Sequence, residues 1–145
     1  MNPEDAEEIS QDGMDVSVCY YDFKSMKLQY AGANNSIYLI RSGALKEFKP
    51  NKFPVGKHKD ELVPFTNHPI DLQANDCIYS FTDGYADQFG GEQGKKFKYK
   101  KLQELLVSIQ GKSMDEQKTI TAQRIDDWKG YLEQVDDILL IGVRV

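Results

Sequence analysis

Apolar and polar positions alternate along most of the chain, and a helical rhythm appears only in its last third. Val16, Val18 and Tyr20 alternate with Asp15, Ser17 and Cys19, and Tyr21 and Asp22 follow. This two-residue period predicts a strand with one face more buried than the other. Phe23 to Lys27 reads as a turn and Leu28 to Ala31 as a second strand, broken by Gly32-Ala33-Asn34-Asn35. Ser36 to Arg41 resumes as a third strand, and the hairpin turn Ser42-Gly43 returns the chain through Ala44 to Phe48. Residues 49–60, with Pro50, Pro54, Gly56 and several lysines, predict a long loop. Two short strands are expected at Leu62 to Phe65 and Ile70 to Leu72. A stronger one, Asp76 to Thr82, must end at Asp83-Gly84.

Leu102, Leu105, Leu106 and Ile109 fall at i, i+3, i+4 and i+7, one apolar face of a helix that Gly111 stops. Ser113-Met114-Asp115-Glu116 matches a capping box and opens a second helix. That helix is expected to reach about Glu133, with Thr121, Ile125, Trp128 and Leu132 facing inward and Gly130 weakening its end by up to about 1 kcal/mol. Ile138 to Val145 is almost wholly apolar and predicts a central closing strand. Strands, two helices and a strand make an α+β plan, with helices packed on antiparallel β-structure. Residues 1–13 are polar and acidic and read as a flexible leader ending in an Asp12-Gly13 turn; 14–145 form one domain.

Charge narrows the function classes. The 145 residues carry 18 Lys and Arg against 23 Asp and Glu, net −5, which argues against general nucleic-acid binding. The longest apolar run, Ile138 to Ile141, is far short of the ~20 residues that cross a bilayer. No secretory leader is visible. Cys19 and Cys77 lack metal-type spacing and read as reduced, buried thiols. A cytoplasmic protein without membrane insertion is expected.

Two carboxylate sites carry the candidate chemistry. Asp83 follows a hydrophobic strand, and Asp136-Asp137 precede another. If these strands are antiparallel neighbours, both sites lie on one sheet edge. Adjacent carboxylates repel, so they need a cation, a donor or full solvation, and oxygen ligands suit Mg²⁺ or Mn²⁺. Pattern alone leaves open a plainer reading, in which Asp83 starts a turn and Asp136 and Asp137 end a solvated strand.

Thr82-Asp83-Gly84-Tyr85-Ala86-Asp87, followed by Phe89-Gly90-Gly91 and Gly94-Lys95-Lys96-Phe97, resembles the central motif of SpoIIE-type protein serine/threonine phosphatases. Val135-Asp136-Asp137-Ile138-Leu139-Leu140 is similar to that family's closing motif. Asp12-Gly13-Met14-Asp15-Val16, Tyr30-Ala31-Gly32-Ala33-Asn34-Asn35 and Pro54-Val55-Gly56 also fall in family order. The resemblance implies a β-sandwich flanked by helices, with a two-metal site at one end where water attacks phosphorus in line. It implies metal ligation by Asp83 and Asp136, with Asp137 a second ligand or an orienting group. Gly84 would keep side chains off the metal edge, and Asp87 matches the family's acidic position. The expected cofactor is Mn²⁺ or Mg²⁺. The expected substrate is a phosphorylated regulatory protein of the anti-sigma-factor antagonist type, with sensor or repeat domains upstream.

The departures from the family pattern carry expectations of their own. The family's N-terminal Asp and Gly-His-Gly stretch has no counterpart, and neither His58 nor His68 has Gly neighbours. Ala33 stands where the family often has His, and Leu139 where it often has Thr. The chain therefore reads as the C-terminal part of such a domain, N-terminally incomplete and inactive or nearly so by itself. Exposed sheet surface and an unpaired edge would favour a homo-oligomer. Lys95, Lys96 and Lys98 head a basic run that could dock an acidic or phosphorylated protein, or could be a solvated loop. Trp128 reads as a core anchor. The competing class is a non-catalytic interaction module on the same fold.

Overall fold

The computed structural model describes residues 12–56 and 63–145. The leader expected over residues 1–13 lies outside them except for its last two residues, as do residues 57–60 of the expected loop. The elements in chain order are β1 (Gly13–Met14), β2 (Val16–Asp22), β3 (Lys27–Ala33), β4 (Ile37–Arg41), β5 (Ala44–Phe48), β6 (Val55–Gly56), β7 (His68–Asp71) and β8 (Cys77–Phe81). There follow α1 (Gly84–Asp87), β9 (Phe89–Gly90), β10 (Lys95–Lys96), α2 (Tyr99–Ile109), α3 (Met114–Lys129) and β11 (Leu140–Arg144).

Two antiparallel sheets face each other, ordered β11-β8-β4-β5 and β2-β3-β7. Alternation along the strands builds the layers. Ile37, Leu39 and Ile78 of the first sheet meet Leu28, Tyr30 and Ile70 of the second in one core. The intervening residues Tyr38, Ile40, Cys77, Tyr79 and Phe81 point the other way and pack against Leu102, Leu105, Leu106 and Ile109 of α2 and Ile125 of α3. Because β4 and β8 are covered on both faces, their sequences read as nearly continuous apolar runs. The result is a β-sandwich with helices on one face, as the α+β reading expected.

The capping box is present in both halves. Glu116 N–H donates to Ser113 Oγ at 3.2 Å, and Ser113 N–H to Glu116 Oε2 at 2.8 Å. Ser113→Ala is expected to cost about 1 kcal/mol, read as a lower urea midpoint with an unchanged slope.

Several expectations need correction. Ile138 to Val145 is not a central strand: β11 begins at Leu140 and lies at the sheet edge, with Leu139 and Ile141 half-exposed. Its apolar character reflects partial cover on two faces, not a neighbour on each side. Along β2 one face is more buried, as its period predicts, and it is that of Cys19 and Tyr21, which pack on the inter-sheet core, whereas Val18 and Tyr20 are exposed. The second strand continues through Gly32 to Ala33, and the turn falls at Asn34 (φ 60°). Residues 63–65 are not a strand. The second helix stops at Lys129, Gly130 caps it with φ 55°, and Leu132 is exposed beyond it.

Candidate functional site

The register of β8 and β11 places both acidic segments on one edge. Leu140 pairs with Phe81, so the chain leaving β8 runs beside the chain entering β11. Thr82 clips the two together. Its N–H donates to Leu139 O at 3.1 Å, its Oγ1 donates to Asp137 O at 2.9 Å, and the same Oγ1 accepts from Leu139 N–H at 3.1 Å. Gly84 makes this approach sterically possible: a Cβ there would lie 2.2 Å from Asp137 O. Thr82→Val keeps the volume but removes both hydroxyl bonds, so a loss of about 1–3 kcal/mol is expected in urea unfolding.

Asp83 heads the short helix α1, and Asp87 N–H donates to its carbonyl at 2.9 Å. Asp136, more than fifty residues further along the chain, lies near enough for its carboxylate to act on that of Asp83. Burial, then the Asp136 carboxylate, then Asp87 hold the Asp83 carboxyl above the usual range. Asp137 enters through its main chain: its carbonyl faces Thr82 and Gly84, and its N–H donates to Asp136 Oδ1 at 2.7 Å. Asp87 turns to the basic segment and pairs with Lys96 Nζ at 3.3 Å. Lys95 lies in the small β9–β10 pair opposite Gly90, and the Lys98 N–H donates to Ala86 O at 2.8 Å from a left-handed backbone.

Sequence reasoning missed the frame behind this edge. Gln88 is fully buried, and its Nε2 donates to Phe89 O and Glu133 O, both at 2.9 Å. It thereby ties the end of α1 to the segment that leads to Asp136. Trp128 Nε1 donates to Gln88 O at 3.0 Å, and the indole lies against Gly90 and Gly91 and edge-on to Phe97. Nothing in the pattern marks a buried glutamine, whereas Thr82 sits inside a motif that could have flagged it.

The arrangement suits a hard cation in its donor chemistry. Two neighbouring carboxyls, one reluctant to ionise, offer oxygens whose repulsion a divalent ion would relieve. Among the described residues, no group of three or more His, Cys, Asp or Glu is arranged to hold a metal. The edge thus contributes a pair of carboxylates rather than a full cage.

The family model for stage II sporulation protein E (SpoIIE) matches residues 4–145. No curated protein matches the chain. Among solved structures, the SiaA-PP2C domain of Pseudomonas aeruginosa is 26% identical with a TM-score of 0.82, over 90% of this chain and 51% of that one. The chain therefore spans about half of that domain's length. The RsbU and RsbW domains of a Mycobacterium tuberculosis protein are 20% identical, with a TM-score of 0.70 over 90% of this chain and 35% of theirs. The phosphatase domain of the cell fate determinant SpoIIE from Bacillus subtilis is 9% identical, with a TM-score of 0.67 over 90% and 57%. At these identities the last two likenesses speak for the fold.

Proposed function

The chain belongs to the SpoIIE family, and from that premise we propose that its sheet edge supplies Asp83 and Asp136 to the divalent-cation site of a protein serine/threonine phosphatase. The observation that carries this reading is the β8–β11 register, clipped by Thr82, which brings both acidic segments to one sheet edge. Bound Mn²⁺ or Mg²⁺ would supply charge neutralisation at the phosphoryl oxygens and activation of water. Asp83 and Asp136 would hold the ion, while Gly84, Thr82 and the main chain of Asp137 fix the approach of the two segments. Asp87 anchors Lys96, and Lys95, Lys96 and Lys98 form a docking surface for an acidic or phosphorylated protein.

The substrate in this reading is a phosphorylated regulatory protein of the anti-sigma-factor antagonist type, and sensor or repeat domains upstream gate the reaction. A cytoplasmic setting accords with the free thiols of Cys19 and Cys77. Among the described residues no helix is long and apolar enough to cross a membrane. The exposed apolar residues of β2 and of the β11 edge, Val18, Tyr20 and Ile141, favour a homo-oligomer. With two carboxylates and no Gly-His-Gly stretch, these 145 residues alone bind cation weakly and turn over little or no substrate.

Calorimetric titration with Mn²⁺ tests the reading. Weak saturable binding is expected, lost in Asp83→Asn and tightened in a version that carries an Asp and Gly-His-Gly stretch ahead of residue 1. Absence of saturable binding in both forms would favour the non-catalytic module.

A further inference from the structure

A cleft of about 450 Å³ opens beside the carboxylate edge. Its wall is aromatic. Phe81, the last residue of β8 before Thr82-Asp83, lies with its ring 4.6 Å from that of Tyr38 and 6.0 Å from that of Tyr99. Tyr38 is buried and held by Gln103 Nε2 at 3.2 Å, so this wall is rigid. Tyr99 is partly exposed and extends the wall outward from Phe81, the residue that leads into Thr82-Asp83.

Lys49 and Lys52 also line the cleft. The segment that bears them is fixed, because Asn51 N–H donates to Gly32 O and Asn51 O accepts from Asn34 N–H, both at 2.9 Å. Among the described residues neither ammonium has an ion-pair partner. The cleft's own carboxylate, Glu47, is engaged by Ser36 Oγ at 2.9 Å. A rigid aromatic wall and a pair of uncommitted cations therefore line one cleft, and the wall includes Phe81, the residue before Thr82-Asp83.

We infer that this cleft is a substrate-recognition subsite for the polypeptide flanking a phosphorylated side chain, taking an apolar residue against Phe81 and Tyr99 and an acidic residue between Lys49 and Lys52. The inference rests on the phosphatase reading for the position of the phosphoryl group, and on charge and shape for the rest. Opposite charge across such a contact governs partner choice more than total affinity, so discrimination is the quantity to measure.

The test is an NMR titration of the full chain in Mg²⁺ with synthetic peptides. One carries phosphoserine followed by Leu and Glu, the second has Lys for that Glu, and the third is the first with unphosphorylated serine. The first is expected to shift the amides of Asn35, Lys49, Lys52 and Tyr99 and to bind roughly tenfold tighter than the second. In the variant carrying Lys49→Glu and Lys52→Glu, the preference should reverse. Unmoved cleft amides, or a preference that the variant leaves unchanged, would overturn the proposal. If the unphosphorylated peptide binds as well as the first and shifts the same cleft amides, the subsite stands and the phosphatase reading suffers. A phosphate-dependent shift confined to Thr82, Asp83 and Asp137, without flank preference, does the opposite.

Discussion

Gly84→Ala is expected to destabilise the protein by about 3 kcal/mol and to abolish cation binding at the carboxylate edge. The added Cβ would sit 2.2 Å from Asp137 O and 2.8 Å from Asp137 C. Those are main-chain atoms, held by the Thr82 hydroxyl and by β11, so no flexible side chain can give way. Overpacking of this kind costs about 1–3 kcal/mol, occasionally more. The helix preference of alanine over glycine returns at most about 1 kcal/mol, and α1 has a single turn in which to collect it. Relief must come by parting the two segments, which stretches the Thr82 bonds and draws Asp136 from Asp83. Gly111→Ala is the control: nothing lies within 4 Å of its added Cβ, so it should be neutral or slightly stabilising. Urea unfolding and Mn²⁺ calorimetry on both variants decide the matter, and an unchanged Gly84→Ala protein would contradict the packing argument.

The second large effect lies far from that edge, at Arg41 and Asp76. Asp76 is 1% exposed. Its carboxylate accepts from Arg41 Nε at 2.9 Å, from Arg41 Nη2 at 2.7 Å and from Gln73 N–H at 2.8 Å. Burial alone would raise its pKa; hydrogen bonds from Arg41 and Gln73, together with the guanidinium charge, outweigh that and hold it below the usual range. Arg41→Ala leaves a buried carboxylate without its partner, and a loss of about 2–4 kcal/mol is expected at neutral pH, less than for a wholly buried pair because Arg41 is partly exposed. Since the folded-state pKa is depressed, this contribution is fully present above the ordinary carboxylate value. It is lost as pH falls through the lower folded value. The stability gap between wild type and Arg41→Ala should therefore narrow in acid. Arg41→Lys keeps the charge but not the paired donors, and should recover only part of the loss. A gap independent of pH would show that the pair does not set it.

How far the sequence could be read depended on the range of the cause. Local causes were legible: the capping box at Ser113 and Glu116 needs only neighbours in the chain, as does the apolar stripe of α2. The period of β2 was legible too, but its phase was not. Val18 and Tyr20 look more apolar than Cys19 and Tyr21, and only the position of β3 and the opposing sheet decides which pair is buried. The edge position of β11 is likewise a matter of sheet order, which an apolar run cannot encode. At the candidate site, motif spacing picked out Asp83, Gly84 and Asp136, whereas Asp137 contributes its main chain rather than an obvious side-chain role. Gln88 stayed invisible because its partners, Phe89 O and Glu133 O, are backbone groups that any residue would present.

The seat of Trp128 has an optical consequence. It is the molecule's sole indole, with Lys101 Nζ 3.9 Å from its ring centroid and its Nε1 proton on the residue that reaches over to Glu133. Its emission is thus wired to the segment preceding Asp136. A shift of that segment when an ion arrives should change the colour or yield of the fluorescence, giving a label-free signal that can be followed in a stopped-flow instrument.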